Sequence, residues 1–399
     1  MPQALLLENI HPFAAESLRK HGFDVVTLKG ALNEDELIDA LDGVDLLGIR
    51  SKTSVTRKVI DACPGLSAVG CFCIGTNQVD LEYAGTHGVA VFNAPYSNTR
   101  SVVELVICDI ICLMRRVPAH THHLKHGLWD KSASGSHEVR GKTLGIIGYG
   151  NIGAQLSVLA EALGMRVVFY DIDEKLALGN AHRCGTLEEL LEQSDAVTLH
   201  VDGRKSNIGF FGEDQFAAMK QDAIFINCSR GFVADLDALK RHLDSGHLSG
   251  AAVDVWPVEP KKTGDPFLTP LADMDNMVLP PHIGGSTLEA QESIGHFVTQ
   301  RLEDYWTKGA TSLSVNFPQL ALGDCAGAAR IIHLHANLPG VLADMNNVLG
   351  DANINISAQS LGTQGSLGYV VTDVSQVPDD ATMDAIAAIE GTIRTRVIR

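Results

Sequence analysis

The 399-residue chain lacks several features that would place it outside the soluble globular proteins. No apolar run reaches the roughly 20 residues that span a membrane, because the longest one, residues 102–114, contains Glu104 and Asp109. The apolar residues 4–7 are cut off by Glu8 and follow no basic segment, so we expect a first strand there and not a signal peptide. We therefore expect no membrane partner.

Positive charge and paired cysteines are also scarce. The chain carries 31 Lys and Arg against 48 Asp and Glu, a net charge of −17, which argues against nucleic acid or an anionic membrane as a partner. An anionic ligand would need a local basic pocket. The eight cysteines show no paired CxxC spacing and stand mostly in apolar runs, so we expect reduced, buried thiols in the cytoplasm.

The histidine-rich stretch at residues 120–126 has no HExxH pattern. His120, His122, His123 and His126 follow a long helical stretch, and the motif contains no acid. A solvated helix end is therefore favoured over a metal site, and no metal is predicted.

A strand–helix–strand pattern is present at residues 142–171. An apolar strand leads into Gly148-x-Gly150-x-x-Gly153, a helical pattern follows, and a second apolar strand ends at Asp171. In such a unit the first glycine permits a tight turn and the second lets the backbone approach a pyrophosphate. The third glycine lets the helix pack closely on the strand.

The same unit indicates which dinucleotide binds. The helix amino terminus offers N–H groups to phosphates, and Asp171, 18 residues after Gly153, can accept both ribose hydroxyls of an adenosine. A 2′-phosphate there would meet Asp171, Asp173 and Glu174 together. The pattern therefore predicts NAD, and not NADP, as the cofactor.

The order of predicted elements indicates an α/β fold. Alternating strands and helices predict two doubly wound, Rossmann-like parallel-sheet domains, and the length is that of two or three domains. Residues 330–399 follow the order βαββαβ, which is ferredoxin-like, with a turn predicted at residues 362–365.

Three polar residues follow three successive predicted strands of the second sheet: Arg230, Glu259 and His282. The carboxyl ends of parallel strands gather at one edge, so we expect these side chains to meet beside the nicotinamide. His282 suits a general acid/base, Glu259 would bond its other ring nitrogen, and Arg230 offers a bidentate fork to a carboxylate. Taken singly, an arginine after a strand usually forms an ion pair, and a histidine after Pro-Pro is usually a loop residue.

Two turns of the first sheet are further candidates for ligand binding. Arg50 and Lys52 lie in a turn at a strand end, where they would either hold an anion or form a solvated basic turn. Gly75 lies in a second turn of the same kind.

The segment that leaves the first sheet opens a long apolar helix. Ser101 and Glu104 show the S-x-x-E spacing of a capping box, which predicts a helix over residues 102–114. Asn98 and Arg100 then lie at its amino terminus. This is a position for substrate, although capping alone would explain Asn98 almost as well.

Together these motifs resemble the D-2-hydroxyacid dehydrogenase family over nearly the whole chain. They are Gly148-Tyr-Gly150-Asn-Ile-Gly153, Cys228-Ser-Arg230-Gly, Ala252-Val-Asp254-Val, Glu259-Pro and Pro281-His282-Ile-Gly284-Gly285. The stretches at residues 74–80 and 92–102 resemble the branch of the family that acts on 3-phospho-D-glycerate.

The resemblance implies a domain plan and a set of site residues. A substrate-binding domain at residues 1–97 and 286–326 would enclose an NAD-binding domain at residues 98–285, and residues 327–399 would form an ACT regulatory domain. Arg230, Glu259 and His282 would be catalytic. The other implied residues are, for substrate, Arg50, Lys52, Gly75, Asn98 and Arg100 and, for cofactor, Gly148, Gly150, Asn151, Ile152, Gly153, Asp171, Cys228, Ser229, Asp254, Gly284 and Gly285.

The stretch that begins at His335 resembles the first loop of an ACT domain. The resemblance implies that His335, Asn337 and Asn355 bind L-serine as an effector across a dimer of these domains, within a homotetramer. Leu338 departs from the arginine common in close relatives. An effector site away from the catalytic cleft needs a moving joint, which we expect at the linker of residues 323–329 and at the crossings near Asn98 and Gly285.

The implied activity is the NAD-dependent oxidation of 3-phospho-D-glycerate to 3-phosphohydroxypyruvate, the first step of L-serine biosynthesis, with feedback inhibition by serine. One alternative is a reductase of an unphosphorylated acid such as glyoxylate, hydroxypyruvate or 2-oxoglutarate, which would have little use for Arg50 and Lys52. An alternative of another class is an NAD-sensing binding protein, which need not keep a positioned acid and base.

Overall fold

The computed structural model describes residues 1–260 and 264–399. It divides into two compact units, one made of Met1–Ser97 with Gln291–Arg399 and the other of Asn98–Ala290. Within the described ranges, no helix is long and apolar enough to cross a membrane.

The first unit begins with a parallel sheet. Its elements alternate as β1 (Gln3–Leu6), α1 (Pro12–Lys20), β2 (Asp24–Thr27), α2 (Glu34–Ala40), β3 (Leu46–Ile49), α3 (Arg57–Ala62), β4 (Ala68–Cys71), α4 (Leu81–Thr86) and β5 (Ala90–Asn93). The strand order is β2-β1-β3-β4-β5, and every neighbouring pair is parallel. Strands β3, β4 and β5 are buried along their whole length, as expected for a parallel sheet covered on both faces.

The second unit contains a larger parallel sheet. Its elements are α5 (Thr99–Met114), α6 (Val117–Lys125), β6 (Thr143–Ile147), α7 (Asn151–Ala162), β7 (Arg166–Tyr170), β8 (His182–Arg183), α8 (Leu187–Gln193), β9 (Ala196–Leu199), α9 (Glu213–Ala218), β10 (Ala223–Asn227), α10 (Leu236–Asp244), β11 (Leu248–Val253) and β12 (Met277–Val278). The order is β12-β11-β10-β9-β6-β7-β8. From β6 the strands are added on one side as β7 and β8, and then on the other side as β9 to β12. Ligands bind at such a topological switch point, here between β6 and β9.

Alternating side chains of the buried strands supply a core on each face of this sheet. In β6, Ile146 packs in one apolar cluster and Ile147 in the other. In β10, Phe225 and Ile226 divide in the same way. This alternation follows from the two-residue period of a strand, which sends successive side chains to opposite faces of the sheet.

The rest of the first unit is most of a long helix, whose first residues belong to the second unit, and a small antiparallel sheet. Its elements are α11 (Leu288–Lys308), β13 (Ala329–Ala336), α12 (Val341–Asp351), β14 (Ile356–Gln364), β15 (Leu367–Val374), α13 (Asp380–Ala387) and β16 (Thr392–Ile398). The sheet order is β14-β15-β13-β16. The predicted fold class, two doubly wound sheets followed by a ferredoxin-like βαββαβ unit, is confirmed.

The linker at residues 323–329 is held by a buried ion pair. Arg330 lies 2.6 Å from Asp373, and both side chains are about 95% buried. Arg330 also donates to the main-chain carbonyls of Lys308 and Gly323. The guanidinium therefore joins the end of α11, the linker and the antiparallel sheet.

Two local predictions were wrong. Helix α5 begins at Thr99 and not at residue 102, so Ser101 lies inside it and makes no cap. Instead, Ser101 shares a hydrogen bond with Thr287, and Glu104 pairs with Arg100, because each finds a closer partner within its own unit.

The histidine stretch at residues 120–126 lies at the carboxyl end of a separate helix, α6, which starts at Val117 because Arg116 adopts a left-handed conformation (φ 52°) after the long helix. The turn predicted at residues 362–365 is shorter, since Gly362 is paired in β14. Helix α11 was not predicted.

Candidate active site and cofactor site

The glycines of the loop after β6 have distinct roles. Gly148 has φ 91°, which favours glycine, and a Cβ there would lie 2.6 Å from the carbonyl oxygen of His200. A Cβ on Gly153 would lie 2.4 Å from the carbonyl oxygen of Gly148. Gly148 therefore makes the turn, and Gly153 allows α7 to pack against the loop.

Gly150 differs from both, because a Cβ added there would meet nothing within 4 Å among the described residues. It is the N-cap residue of the 12-residue helix α7, and Asn151 and Ile152 form the first turn. The amino terminus of α7 therefore faces open space lined by main-chain N–H groups, which fits a pyrophosphate.

Asp171 directly follows β7, beside the same loop. Its Oδ2 accepts the N–H of Tyr149 at 2.7 Å, and its Oδ1 accepts the N–H of Asp173 at 2.9 Å. These bonds fix the carboxylate next to the glycine loop, and each oxygen keeps a lone pair for a ribose hydroxyl. The residues present therefore fit the adenosine and pyrophosphate of NAD.

Glu259 and His282 are in direct contact. The two carboxylate oxygens of Glu259 lie 2.9 and 2.8 Å from Nδ1 of His282. The hydrogen bond and the negative charge of Glu259 raise the pKa of His282 above its ordinary value, against the opposing effect of burial. Burial by itself would raise the pKa of Glu259. The hydrogen bond and the charge of His282 outweigh this effect of burial, so the Glu259 pKa is lowered.

Arg230 follows β10, beside the loops that follow β11 and β12. These strands are neighbours in the sheet, so the structure brings Arg230, Glu259 and His282 to the same edge, as predicted. The charge of Arg230 reaches both partners, since it favours a lower pKa for Glu259 and for His282. Arg230 is half-buried, and its Nη1 donates to the carbonyl of Ser229 at 2.7 Å.

Cys228 and Ser229, two of the predicted cofactor contacts, are buried beside Arg230. Oδ1 of Asn227 accepts both the main-chain N–H and the hydroxyl of Ser229, at 3.0 and 2.7 Å. The Asn227 amide in turn donates to the carbonyl of Arg230 at 3.2 Å. Asn227 therefore fixes the loop that presents the arginine, a role that sequence reasoning missed.

Asp254 holds the loop that carries His282. Its carboxylate is 1% exposed and accepts the N–H groups of Ile283 and Gly284, both at 2.7 Å. His282 itself has φ 58°, a conformation that a non-glycine residue keeps only where its surroundings fix it. Asp254 was predicted to contact the cofactor, and in the structure its carboxylate also fixes the loop that carries His282.

Asp109, on α5, is a neighbour of the site that sequence reasoning missed. Its side chain is 2% exposed, and Oδ2 has no hydrogen-bond partner in the described part of the chain. Burial, with a smaller contribution from the charge of Asp254, raises the pKa of Asp109 to about 7. The available signal was an acid in the middle of an apolar helix.

In the first unit, Glu8 organises the basic turn. Its carboxylate accepts the N–H groups of Arg50, Lys52 and Thr53 at 3.2, 3.0 and 2.8 Å. Neither Arg50 nor Lys52 forms an ion pair within the described residues, and Lys52 is exposed. The turn therefore presents two uncompensated cations on a backbone fixed by a buried acid.

The turn that contains Gly75 lies beside this loop. Gln78 donates to the carbonyl of Gly75 at 3.2 Å and to the carbonyl of Arg50 at 2.7 Å. One amide side chain therefore joins the two turns that sequence reasoning selected for substrate.

Asn98 and Arg100 stand at the start of α5, in the second unit. Asn98 is the N-cap residue, yet its side chain makes no capping hydrogen bond, and its buried Oδ1 has no partner among the described residues. Capping therefore does not explain this asparagine. Arg100 donates to Glu104 at 2.6 Å, so its guanidinium is already paired.

The three predicted effector residues do not meet within one chain. His335 and Asn337 lie where β13 ends, beside the start of β15, whereas Asn355 precedes β14, beside the end of β15. About seven residues of β15, roughly 24 Å, separate these two ends. His335 is buried, and its Nε2 has no partner among the described residues.

Comparison with known proteins gives the family. The family model described as "D-isomer specific 2-hydroxyacid dehydrogenase, NAD binding domain" matches residues 107–284. The model described as "AHAS small subunit-like ACT domain" matches residues 331–394. With the full-length relatives described next, these matches show that the chain belongs to the D-isomer specific 2-hydroxyacid dehydrogenase family, a family of NAD-dependent oxidoreductases.

Its full-length relatives indicate the branch of the family. A D-3-phosphoglycerate dehydrogenase of Haemophilus influenzae is 50% identical over 99% of this chain and 96% of its own length. One of Escherichia coli is 48% identical over 99% and 97%. The crystal structure of a D-lactate dehydrogenase of Aquifex aeolicus with NAD and lactic acid is 25% identical, covers 76% of this chain and 95% of its own, and has a TM-score of 0.66.

Proposed function

We propose that the chain oxidises 3-phospho-D-glycerate to 3-phosphohydroxypyruvate with NAD. The observation that carries this proposal is the pair Glu259–His282 beside Arg230, at the edge of the sheet that holds the cofactor loop. The names of the most similar relatives support the same substrate.

Each member of the trio has one task in this reaction. The loop of Gly148, Gly150 and Gly153 and the carboxylate of Asp171 would hold NAD, which would supply the acceptor for the hydride of carbon 2 of the hydroxy acid. His282 takes the hydroxyl proton on Nε2, the ring nitrogen away from Glu259, as the C–O single bond becomes a carbonyl. Arg230 binds the substrate carboxylate and stabilises charge on the reacting oxygen. In the reverse direction, the protonated His282 returns the proton.

Arg50 and Lys52 are our candidates for the phosphate. Two cations without acidic partners favour a doubly charged group, and the acid Glu8 acts on their backbone and not on their side chains. Gly75, Asn98 and Arg100 are proposed as further substrate residues.

Turnover of NADH with 3-phosphohydroxypyruvate, hydroxypyruvate and 2-oxoglutarate tests the substrate. Wild type should prefer the phosphorylated acid, and Arg50→Ala with Lys52→Ala should abolish that preference by raising KM at least tenfold for this acid alone. The exposed Lys29→Ala serves as a control for loss of positive charge.

Three other results would contradict the proposal. Equal rates on all three acids would identify a general 2-oxoacid reductase. A double variant that retains the preference would remove these cations from the phosphate site. The absence of turnover on any acid would favour a sensor.

We further propose that L-serine binds between the ACT domains of two chains and inhibits the enzyme, in a cytoplasmic homotetramer. The separation of His335 and Asn337 from Asn355 supports a shared site, because only a second copy could bring the two ends together. The linker at residues 323–329 is proposed as the joint. Burial of Cys63, Cys71, Cys184 and Cys228 accords with a reducing compartment.

A further inference from the structure

Two histidines of α6 and an aspartate that follows the helix converge at one point in the second unit. His120 and His123 are three residues apart, which places them on one face of the helix. Nδ1 of His120 lies 3.7 Å and Nδ1 of His123 lies 3.3 Å from Oδ2 of Asp130. All three atoms lie within 4.8 Å of one another.

The two nitrogens lack hydrogen bonds although they are buried. Neither Nδ1 of His120 nor Nδ1 of His123 has a hydrogen-bond partner within residues 1–260 and 264–399. Oδ1 of Asp130 accepts the N–H of Ser132 at 2.9 Å, which fixes the carboxylate and leaves Oδ2 toward the imidazoles. Among the described residues, each nitrogen therefore faces only the Asp130 carboxylate, a contact that is an ion pair when the ring is protonated and two ligand atoms of one metal site when it is neutral.

A second carboxylate lies on the far side of one ring. Oδ2 of Asp275 is 3.5 Å from Nε2 of His123. A carboxylate on the outer nitrogen of a histidine favours the tautomer with its proton there, so Nδ1 presents a lone pair inward. At metal sites a ligating histidine usually donates its other ring nitrogen to a carboxylate, and Asp275 stands in that position relative to His123.

We propose that His120, His123 and Asp130 bind a divalent transition-metal ion, for which Zn²⁺ is the best match. Two imidazole nitrogens and one carboxylate oxygen suit Zn²⁺, whereas Mg²⁺ and Ca²⁺ prefer oxygen ligands. Ligand atoms about 2.1 Å from a tetrahedral ion lie about 3.4 Å apart, close to the separations seen. Water would complete the coordination.

The proposed ion goes beyond the dehydrogenase reaction, since none of its ligands belongs to the catalytic trio. It would fasten the exposed segment after α6 to the helix itself. The sequence favoured a solvated helix end here, because both carboxylates lie outside the histidine motif and only the fold brings them to it.

Metal binding to the full-length protein, stripped with a chelator, tests this site. We expect one Zn²⁺ per chain by calorimetry, and Co²⁺ should give the intense visible absorption of a low-coordinate site. His120→Ala, His123→Ala and Asp130→Asn should each lose both signals. Asp275→Asn, which changes a positioning residue, should weaken binding about tenfold or more.

His122→Ala is the matched control, because His122 is an exposed histidine of the same helix that lies outside the cluster. It should bind both ions like wild type. Equal binding by wild type and the three ligand variants would overturn the proposal, as would the absence of binding or its loss in His122→Ala. Normal unfolding transitions of the ligand variants, followed by circular dichroism, would show that a lost signal reflects the ligand and not the fold.

Discussion

Glu259 holds Nδ1 of His282 at 2.8 Å, on the side of the imidazole opposite Nε2. The contact fixes the ring and raises the pKa of His282. Reduction of an oxo acid needs the protonated ring, so this activity is full below the His282 pKa and is lost as pH rises through it. Oxidation of the hydroxy acid needs the neutral ring and follows the opposite course.

Glu259→Gln should move this pH dependence to lower pH, because a neutral amide no longer stabilises the imidazolium. We expect kcat/KM for reduction to fall about a hundredfold near neutral pH, and less in acid, as measured by a profile from pH 5 to 9. Glu213→Gln is the control, since Glu213 contacts His242 at 2.9 Å in a comparable surface pair. An unshifted profile in Glu259→Gln would exclude His282 as the titrating group.

Gly150→Ala should weaken NAD binding while the protein remains folded. Its φ of −82° is open to alanine and a Cβ meets nothing within 4 Å among the described residues, but the methyl group would occupy the space for the pyrophosphate. We expect KM for NAD to rise at least tenfold with an unchanged Tm.

Gly153→Ala is the informative contrast, because its Cβ would lie 2.4 Å from a main-chain oxygen. It should lower Tm by several degrees. If the two variants behaved alike, the separate roles assigned to these glycines would be wrong.

Asp109→Asn should change how stability depends on pH. The folded pKa of about 7 lies above the ordinary 3.8, so the folded state holds the proton longer and the Asp109 contribution to stability is lost as pH rises toward 7. Between pH 5 and 8 this effect lowers the free energy of unfolding by about 3 kcal/mol. The asparagine variant has no titrating group at this position and should not show the decrease.

The free energies of unfolding of wild type and Asp109→Asn, measured at both pH values, give this double difference. The free energy of unfolding of the variant, relative to that of wild type, should be higher at pH 8 than at pH 5. The exposed Asp244→Asn should show no such gain. A difference that is the same at both pH values would mean that Asp109 titrates normally.

Glu8→Gln should disturb the basic turn without touching the cofactor. A neutral amide is a weaker acceptor for the three N–H groups of residues 50, 52 and 53. KM for 3-phosphohydroxypyruvate should rise several-fold, whereas KM for NADH should stay within twofold of wild type. A parallel rise in both constants would indicate general destabilisation.

Mixed oligomers test whether the serine site is shared. His335→Ala and Asn355→Ala should each abolish inhibition by serine. Oligomers assembled from both variants should regain part of it, because one of the two sites at each mixed interface would then be intact. Mixed oligomers as insensitive as their parents would place the site within a single chain.

Much of the candidate active site was predictable, because it depends on residues at fixed positions relative to strands. Arg230, Glu259 and His282 each follow a strand, and parallel strands with helical connections must end at the same edge. Two of the three glycines were equally predictable, since the turn at Gly148 and the close packing at Gly153 leave no room for a side chain.

The supporting acids could not be predicted in the same way. Glu8 reaches a turn 42 to 45 residues away, and Asp254 reaches a loop 29 and 30 residues away. The local sequence does not predict these contacts, because a carboxylate at a strand end is just as often exposed to solvent. The capping box failed for the related reason that Ser101 found a partner in Thr287.

The sequence by itself therefore determined the sheets, the cofactor loop and the sheet edge at which Arg230, Glu259 and His282 meet, because these follow from periodicity, glycine conformation and the ends of strands. Only the tertiary structure decided which acids hold the loops, that Asp109 is buried beside Asp254, and that Asp130 and Asp275 meet two histidines of α6. Side chains distant in sequence become neighbours through packing alone, and burial then sets their charge and their hydrogen bonds.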